Sequence, residues 1–275
     1  MGLVADGTGT VWAAIPASGA LVQVSDPDAA PADVGDTPLR AALSGDELWV
    51  SVFGAGVLAE VDAATGDVTR TLEVGAEPEG IADGFGSLWV VLQGSGQLAR
   101  IDPLSAEALM TVDVGAGPRL VIAGATSMWV SDFTTGTIVR VDPMTGTVTT
   151  SQEICDGPQG MAEVKDMLWV ACTRSSELIG IAADDLTVVE RIEVAGNPDA
   201  LGVGADGTVV VALQEGPAVR LLDAPSAELG AALTLSDKPQ LFDQANIDVL
   251  VGDDRVWLSS YSEAIVYELP LSKLG

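Results

Sequence analysis

Whatever chemistry this chain performs, it performs without histidine. The 275 residues hold 40 Asp and Glu, 12 Lys and Arg, two cysteines and no His, for a net charge of −28. The commonest general base and metal ligand is therefore missing, and thiols and carboxylates are what remain. No pair of carboxylates is singled out by its spacing, so no catalytic residue is assigned and a metal site stays unknown. No Gly-x-Ser-x-Gly elbow, P-loop or EF-hand loop is present. Gly202-Val203-Gly204-Ala205-Asp206-Gly207 matches the letters of a dinucleotide fingerprint. It runs into the strand-like Thr208–Leu213 rather than a helix, which makes it a hairpin turn.

The cysteines, Cys155 and Cys172, admit two readings. They are two small buried thiols, or a disulfide closing an eighteen-residue loop, worth about 3 kcal/mol in the chain-entropy model. The disulfide is the favoured reading, and it implies an exported domain.

The elements that must position such groups come from a repeat. Trp49, Trp89, Trp129 and Trp169 are spaced by forty residues, and Trp12 precedes them by thirty-seven. Adding forty again reaches Val209; Trp257 follows after an insertion placed within residues 236–247. Pro38, Pro78, Pro118, Pro158 and Pro198 each lie eleven residues before the Trp position. Each copy reads as four short strands separated by turn residues, with no helical periodicity. A period near forty with four strands per copy is the signature of a propeller blade. Apolar residues on both faces of the Trp strand suit a sheet covered on both sides. Asp62, Asp102 and Asp142, in Asp-Pro-Met-Thr-Gly-like segments, read as turn formers. The expected fold is all-β: a seven-bladed β-propeller of four-stranded antiparallel blades, the last blade incomplete, in a single domain over residues 1–275 excised from a longer protein.

Folding the first two strands of each copy as a hairpin brings two sets of positions to one end, the mouth. The residue after each proline and the residue four past each Trp position gather there. With Arg40, these supply the candidate ligand-binding residues Arg40, Phe53, Glu79, Gln93, Arg119, Phe133, Gln159, Thr173, Asp199, Gln240 and Tyr261. Unlike the Trp and Pro positions, they differ freely from copy to copy. Three aromatics beside mixed charges form a recognition surface, with the scarce cations Arg40 and Arg119 opposite Glu79 and Asp199.

The unit Gly-x-x-Pro … Leu-Trp-Val … Arg-Ile/Val-Asp-Pro-x-Thr-Gly resembles the repeats of streptogramin lyase-like, YVTN and NHL propellers over nearly the whole chain. The resemblance implies the fold and leaves function open, because such propellers host lyases, lactonases, sensors and adhesion modules. Streptogramin lyases use a histidine base with a glutamate-assisted magnesium site, and this chain cannot supply that base. A lactonase-type calcium site would find only Asn197 and Asn246 as Asn ligands. The preferred function is a non-catalytic ligand- or protein-binding module, such as an extracellular sensor, with no cofactor. The alternative is a metal-assisted lyase or lactone hydrolase with carboxylates in the mouth.

The charge balance bounds the partners. Nucleic acid needs a basic footprint, which is absent, and an anionic membrane surface repels such a chain. No apolar run reaches transmembrane length. The acidity serves solubility or a salty medium rather than cation capture, because it is spread along the chain. The expected partner is a small molecule or protein at the mouth. The expected location is extracellular or cell-surface. An incomplete last blade would also be open to pairing with another copy.

Overall fold

The computed structural model describes residues 1–26, 28–237, 247–261, 263 and 265–274. The chain forms seven antiparallel sheets, the blades of an all-β propeller. They span residues 3–33, 38–73, 78–113, 118–150, 158–193, 198–234 and 249–270, and are called blades 1 to 7. Two compact units divide the chain: Met1–Thr135 with Val139–Thr150, and Gly136–Ile138 with Ser151–Gly275. The first holds blades 1–3 and most of blade 4; the second holds blades 5–7.

Blade 3 shows why these residues form these strands. Its strands are Pro78–Gly84, Ser87–Leu92, Gln97–Ile101 and Ala108–Asp113, paired in sequence order. Every residue of Ser87–Leu92 is buried. Trp89 and Val91 pack with Met128 and Val130 of blade 4, while Leu88 and Val90 pack with Trp49 of blade 2. The second strand is therefore apolar on both faces because each face is covered. Truncating a tryptophan so placed to alanine costs about 3–5 kcal/mol. The outer strand is instead mostly exposed, and it alternates.

Turns at one end of the blades are closed by aspartate. Asp142 accepts hydrogen bonds from the Met144 and Thr145 N–H groups, both at 2.8 Å. Asp62 and Asp102 do the same two and three residues on. These carboxylates offer the chain a local turn, as the sequence indicates. We call this the aspartate end and the opposite one the proline end.

Two details depart from simple counting. Blade 6 carries its Trp slot at Val210, not Val209. Gly202 pairs with Val210 as Ile122 pairs with Trp129, and Val210 packs towards blade 7 while Val209 packs with Trp169 of blade 5. The cause is a hairpin one residue longer, Gly204–Thr208, closed by Gly204 N–H on Thr208 O at 2.8 Å. A slip of one residue exchanges the two faces of a strand. Blade 6 also has a broken fourth strand, Glu228–Leu229 and Leu233–Thr234. Blade 7 has three strands among the described residues: Val249–Val251, Arg255–Ser260 and Ile265–Pro270.

Candidate functional site

At the proline end a β-bulge aims the variable residues. Pro38, Pro78, Pro118, Pro158 and Pro198 pair with Val52, Leu92, Asp132, Cys172 and Leu213. In each blade the register shifts immediately after the proline. Leu39, Glu79, Arg119, Gln159 and Asp199 are the displaced residues. A bulge bends the strand and redirects one side chain out of the alternation, so these positions escape the two-sided core. The proline tolerates the spot because it opens the strand. One residue further on, neighbouring first strands nearly touch. A Cβ on Gly80 would lie 2.6 Å from Arg119 O, and one on Gly160 would lie 2.6 Å from Asp199 O.

The second set of positions is held by one repeated bond. The N–H groups of Phe53, Gln93, Phe133, Thr173 and Gln214 donate to Thr37, Glu77, Gly117, Gly157 and Asn197 O, at 2.9–3.0 Å. In blade 6 the occupant is thus Gln214, buried, and not Leu213, which joins the core.

Within the first unit, Glu79, Gln93, Arg119 and Phe133 form one bonded group. Arg119 donates through Nη2 to Glu79 Oε1 at 2.8 Å and through Nε to both carboxylate oxygens at 3.1 and 3.2 Å. Gln93 Nε2 donates to Glu79 Oε2 at 2.9 Å. The guanidinium carbon lies 5.1 Å from the centroid of the Phe133 ring, a cation–π contact. Glu79 is only 1% exposed, so the ion pair is what allows a carboxylate at this depth. Arg119 and Phe133 are half-buried, rather than loop tips in solvent. Arg40 is buried, Phe53 half-buried, and the Arg40 N–H donates to Ser51 Oγ at 3.1 Å. Asp132, which sequence reasoning passed over, is fully buried here. Its Oδ1 accepts from the Thr134 and Thr135 N–H groups and its Oδ2 from Ala116 N–H, at 2.8–3.0 Å.

The second unit has its own polar set. Thr173 Oγ1 donates to Pro198 O at 2.9 Å and to Asp199 Oδ1 at 3.3 Å, and Ile247 N–H donates to Asp199 Oδ2 at 3.3 Å. Asp199, Gln159 and Thr173 are all buried and Tyr261 is half-buried. Gln240 lies outside the described residues. By register, the blade 7 counterpart of Glu79 and Asp199 is Ile247. Ser51, Ser131 and Ser259, two residues past a Trp, accept first-strand N–H bonds. They too went unread, although the Ser-at-Trp-plus-two spacing was visible.

Cys155 and Cys172 are joined as a disulfide, with Cα atoms 6.1 Å apart. The same slot in other blades is filled otherwise. A Cβ on Gly75 would lie 3.5 Å from Leu92 Cδ1, and one on Gly196 would lie 3.4 Å from Leu213 Cδ1. Blade 4 uses Gly115 beside Asp132. The bond thus replaces a packing contact that recurs around the repeat. No group of three or more His, Cys, Asp or Glu side chains among the described residues is arranged to hold a metal ion. No helix among them is long and apolar enough to cross a membrane.

No family model matches the chain, and no curated protein matches it in sequence. Solved structures do match in fold. A streptogramin B lyase is 14% identical with a TM-score of 0.82, over 97% of this chain and 91% of that one. A catalytically inactive histidine-to-alanine variant of virginiamycin B lyase from Staphylococcus aureus, solved with quinupristin, is 15% identical at a TM-score of 0.78, over 98% and 94%. Hydrazine synthase of Kuenenia stuttgartiensis is 14% identical at 0.82, over 98% and 95%. At these identities the likeness shows the streptogramin lyase-like propeller fold. The likeness to YVTN and NHL repeats stays one of sequence pattern.

Proposed function

We propose that the chain is a non-catalytic binding module that meets a small molecule or a protein at the proline end of its blades. The observation that carries this reading is the state of the buried carboxylates there. Glu79, Asp132 and Asp199 each have both oxygens engaged by internal donors. A general base must reach the proton it removes; these carboxylates are buried and hold neighbouring groups in place. What they hold, notably Arg119 over Phe133, is a rigid and partly exposed surface suited to recognition.

The disulfide supports an exported, cell-surface setting for such a module. Ligand-observed NMR screening with small aromatic and polar compounds tests the site. Compounds that bind at this end lose their saturation transfer in Phe53→Ala and Phe133→Ala; binders indifferent to both would place recognition elsewhere.

The fold likeness favours a second reading, a metal-assisted lyase or lactone hydrolase. One fold neighbour is inactive once a histidine is replaced, and this chain has no histidine. Quinupristin incubated with the protein and magnesium is expected to stay intact by mass spectrometry. Enzyme-like turnover would show a carboxylate acting as the base and would overturn the binding reading.

A further inference from the structure

Within the first unit, arginines plug two of the gaps between blades at the aspartate end. Between blades 2 and 3, Arg70 lies 5.1 Å from the Trp49 centroid and donates to Pro103 O at 2.8 Å. Between blades 3 and 4, Arg100 lies 5.5 Å from the Trp89 centroid. Its Nε donates to Ser87 Oγ at 2.9 Å, its Nη1 to Pro143 O at 2.9 Å and its Nη2 to Phe85 O at 3.4 Å. Both arginines thus reach the carbonyl just after the turn aspartate of the next blade, Asp102 or Asp142.

The gap between blades 1 and 2 has the acceptors of Arg100 but not the cation. Gln23 pairs with Trp12 as Arg100 pairs with Trp89, so an uncharged amide stands where the guanidinium would begin. The fourth strand of blade 1, Ala32–Asp33, pairs with Leu21 and Ala20 and stops two residues short of Gln23. No counterpart of Arg70 stands there. All three acceptor positions of Arg100 recur. Thr10, two before the Trp, matches Ser87, and Ala63, just after Asp62, matches Pro143. Gly7 matches Phe85, because Asp6 before it receives the Trp12 indole N–H as Gly84 receives that of Trp89. Thr10, Ala63, Gly7 and Gln23 line one recess of about 670 Å³, within the ~300–1,000 Å³ range of small-molecule sites. Asp6, Asp46, Glu47 and Asp62 also line it, and no Lys or Arg among the described residues does.

An acidic cluster alone would say little; the decisive point is that the matching positions two blades on already hold a guanidinium. A bare metal ion fits less well, since no group of carboxylates among the described residues is arranged to ligate one. We propose that the recess between blades 1 and 2 binds an alkylguanidinium group, carried by a small molecule or by an arginine of a polypeptide. The guanidinium donates to Thr10 Oγ1 and to the Ala63 and Gly7 carbonyls, and Asp46 and Glu47 balance its charge. A planar fork of donors suits such divergent acceptors better than an ammonium does. This site lies at the opposite end of the blades from the binding surface around Arg119 and Phe133, so the two readings stand or fall separately.

Agmatine and acetyl-arginine amide, titrated into the full chain by isothermal calorimetry at low ionic strength, are the probes. Saturable one-to-one binding of at least one is expected. Tighter binding of agmatine assigns the site to a free small cation, and tighter binding of acetyl-arginine amide assigns it to a polypeptide side chain. Acetyl-citrulline amide, neutral and of the same shape, should not bind. Gln23→Arg should plug the recess from within and weaken binding about ten-fold or more, the scale of the charge-assisted bonds it takes over, with Tm unchanged or raised. Asp46→Asn should weaken binding about three-fold, the scale of one exposed charge pair. No saturation by either probe at millimolar concentration, equal binding of the citrulline compound, or affinity untouched by both substitutions in folded protein overturns the proposal.

Discussion

The two ends of a blade hold their side chains by opposite means. At the aspartate end, Asp142 is exposed, Asp62 and Asp102 are half-buried, and all three accept bonds from residues two or three positions away. At the proline end, Glu79, Asp132 and Asp199 are buried, and Glu79 and Asp199 bond to residues 40 and 48 positions away. Local bonds can be repeated in every copy because each copy carries both partners. Long-range bonds need a partner in a neighbouring blade, so each pair of blades can settle them differently. That is why the turn motif recurs while the bulge positions vary, and why a recognition surface can evolve at one end without disturbing the turns.

The contrast breaks most visibly at Arg119. Its removal in Arg119→Ala strands a buried carboxylate, and urea denaturation should show a loss of about 3–5 kcal/mol. This residue is therefore a poor probe of binding alone, although its sequence position looked like an uncommitted loop. Glu79→Gln combined with Arg119→Ala should recover part of that loss, because no buried charge is then left over.

Reducing the Cys155–Cys172 bond should cost roughly 3 kcal/mol in the chain-entropy model. Free-thiol titration of the unfolded, unreduced protein should give close to none, and two titratable thiols would contradict the bond. Blades that fill this slot with glycine and an aliphatic residue manage without a cross-link, so reduction should lower stability without unfolding the chain at 25 °C.

At the aspartate end the effects shrink. Backbone N–H bonds from Thr145 and Met144 hold the Asp142 carboxyl below its usual range. The stability it adds is therefore present above about pH 4 and lost as pH falls through the lower folded value. Asp142→Ala should give a smaller drop in Tm than either change above, one that fades in acid. A drop that persisted unchanged at low pH would mean that the turn is held by something other than the carboxylate.

Glu47 runs the other way. It lines a recess of about 670 Å³ at the same end with Asp6, Asp46 and Asp62. Burial pushes its carboxyl up, and Asp62, Glu60 and Asp46 push it further. Stability linked to this group is present below the ordinary carboxyl range and lost as pH rises through the raised value. Glu47→Gln should raise Tm slightly at pH 7, and the gain should disappear below about pH 4.

Much of this was legible in the chain itself. Tryptophans spaced by forty residues, prolines eleven before them and aspartate turns dictate blades, because short-range turn chemistry and apolar runs of strand length act within one copy. The pairing of Cys155 with Cys172 could be read from a hairpin in the same way. The register of blade 6 was also within reach: Gly207-Thr208-Val209-Val210 mirrors Gly9-Thr10-Val11-Trp12, and that longer hairpin moves the Trp slot to Val210. Tertiary structure alone decided that Arg119 serves Glu79 and that Asp132 is buried and bonded through both oxygens. Each of these depends on which strand lies beside which, and at what register. Bulges and neighbouring blades set that relation, and it leaves no local mark on the residues concerned.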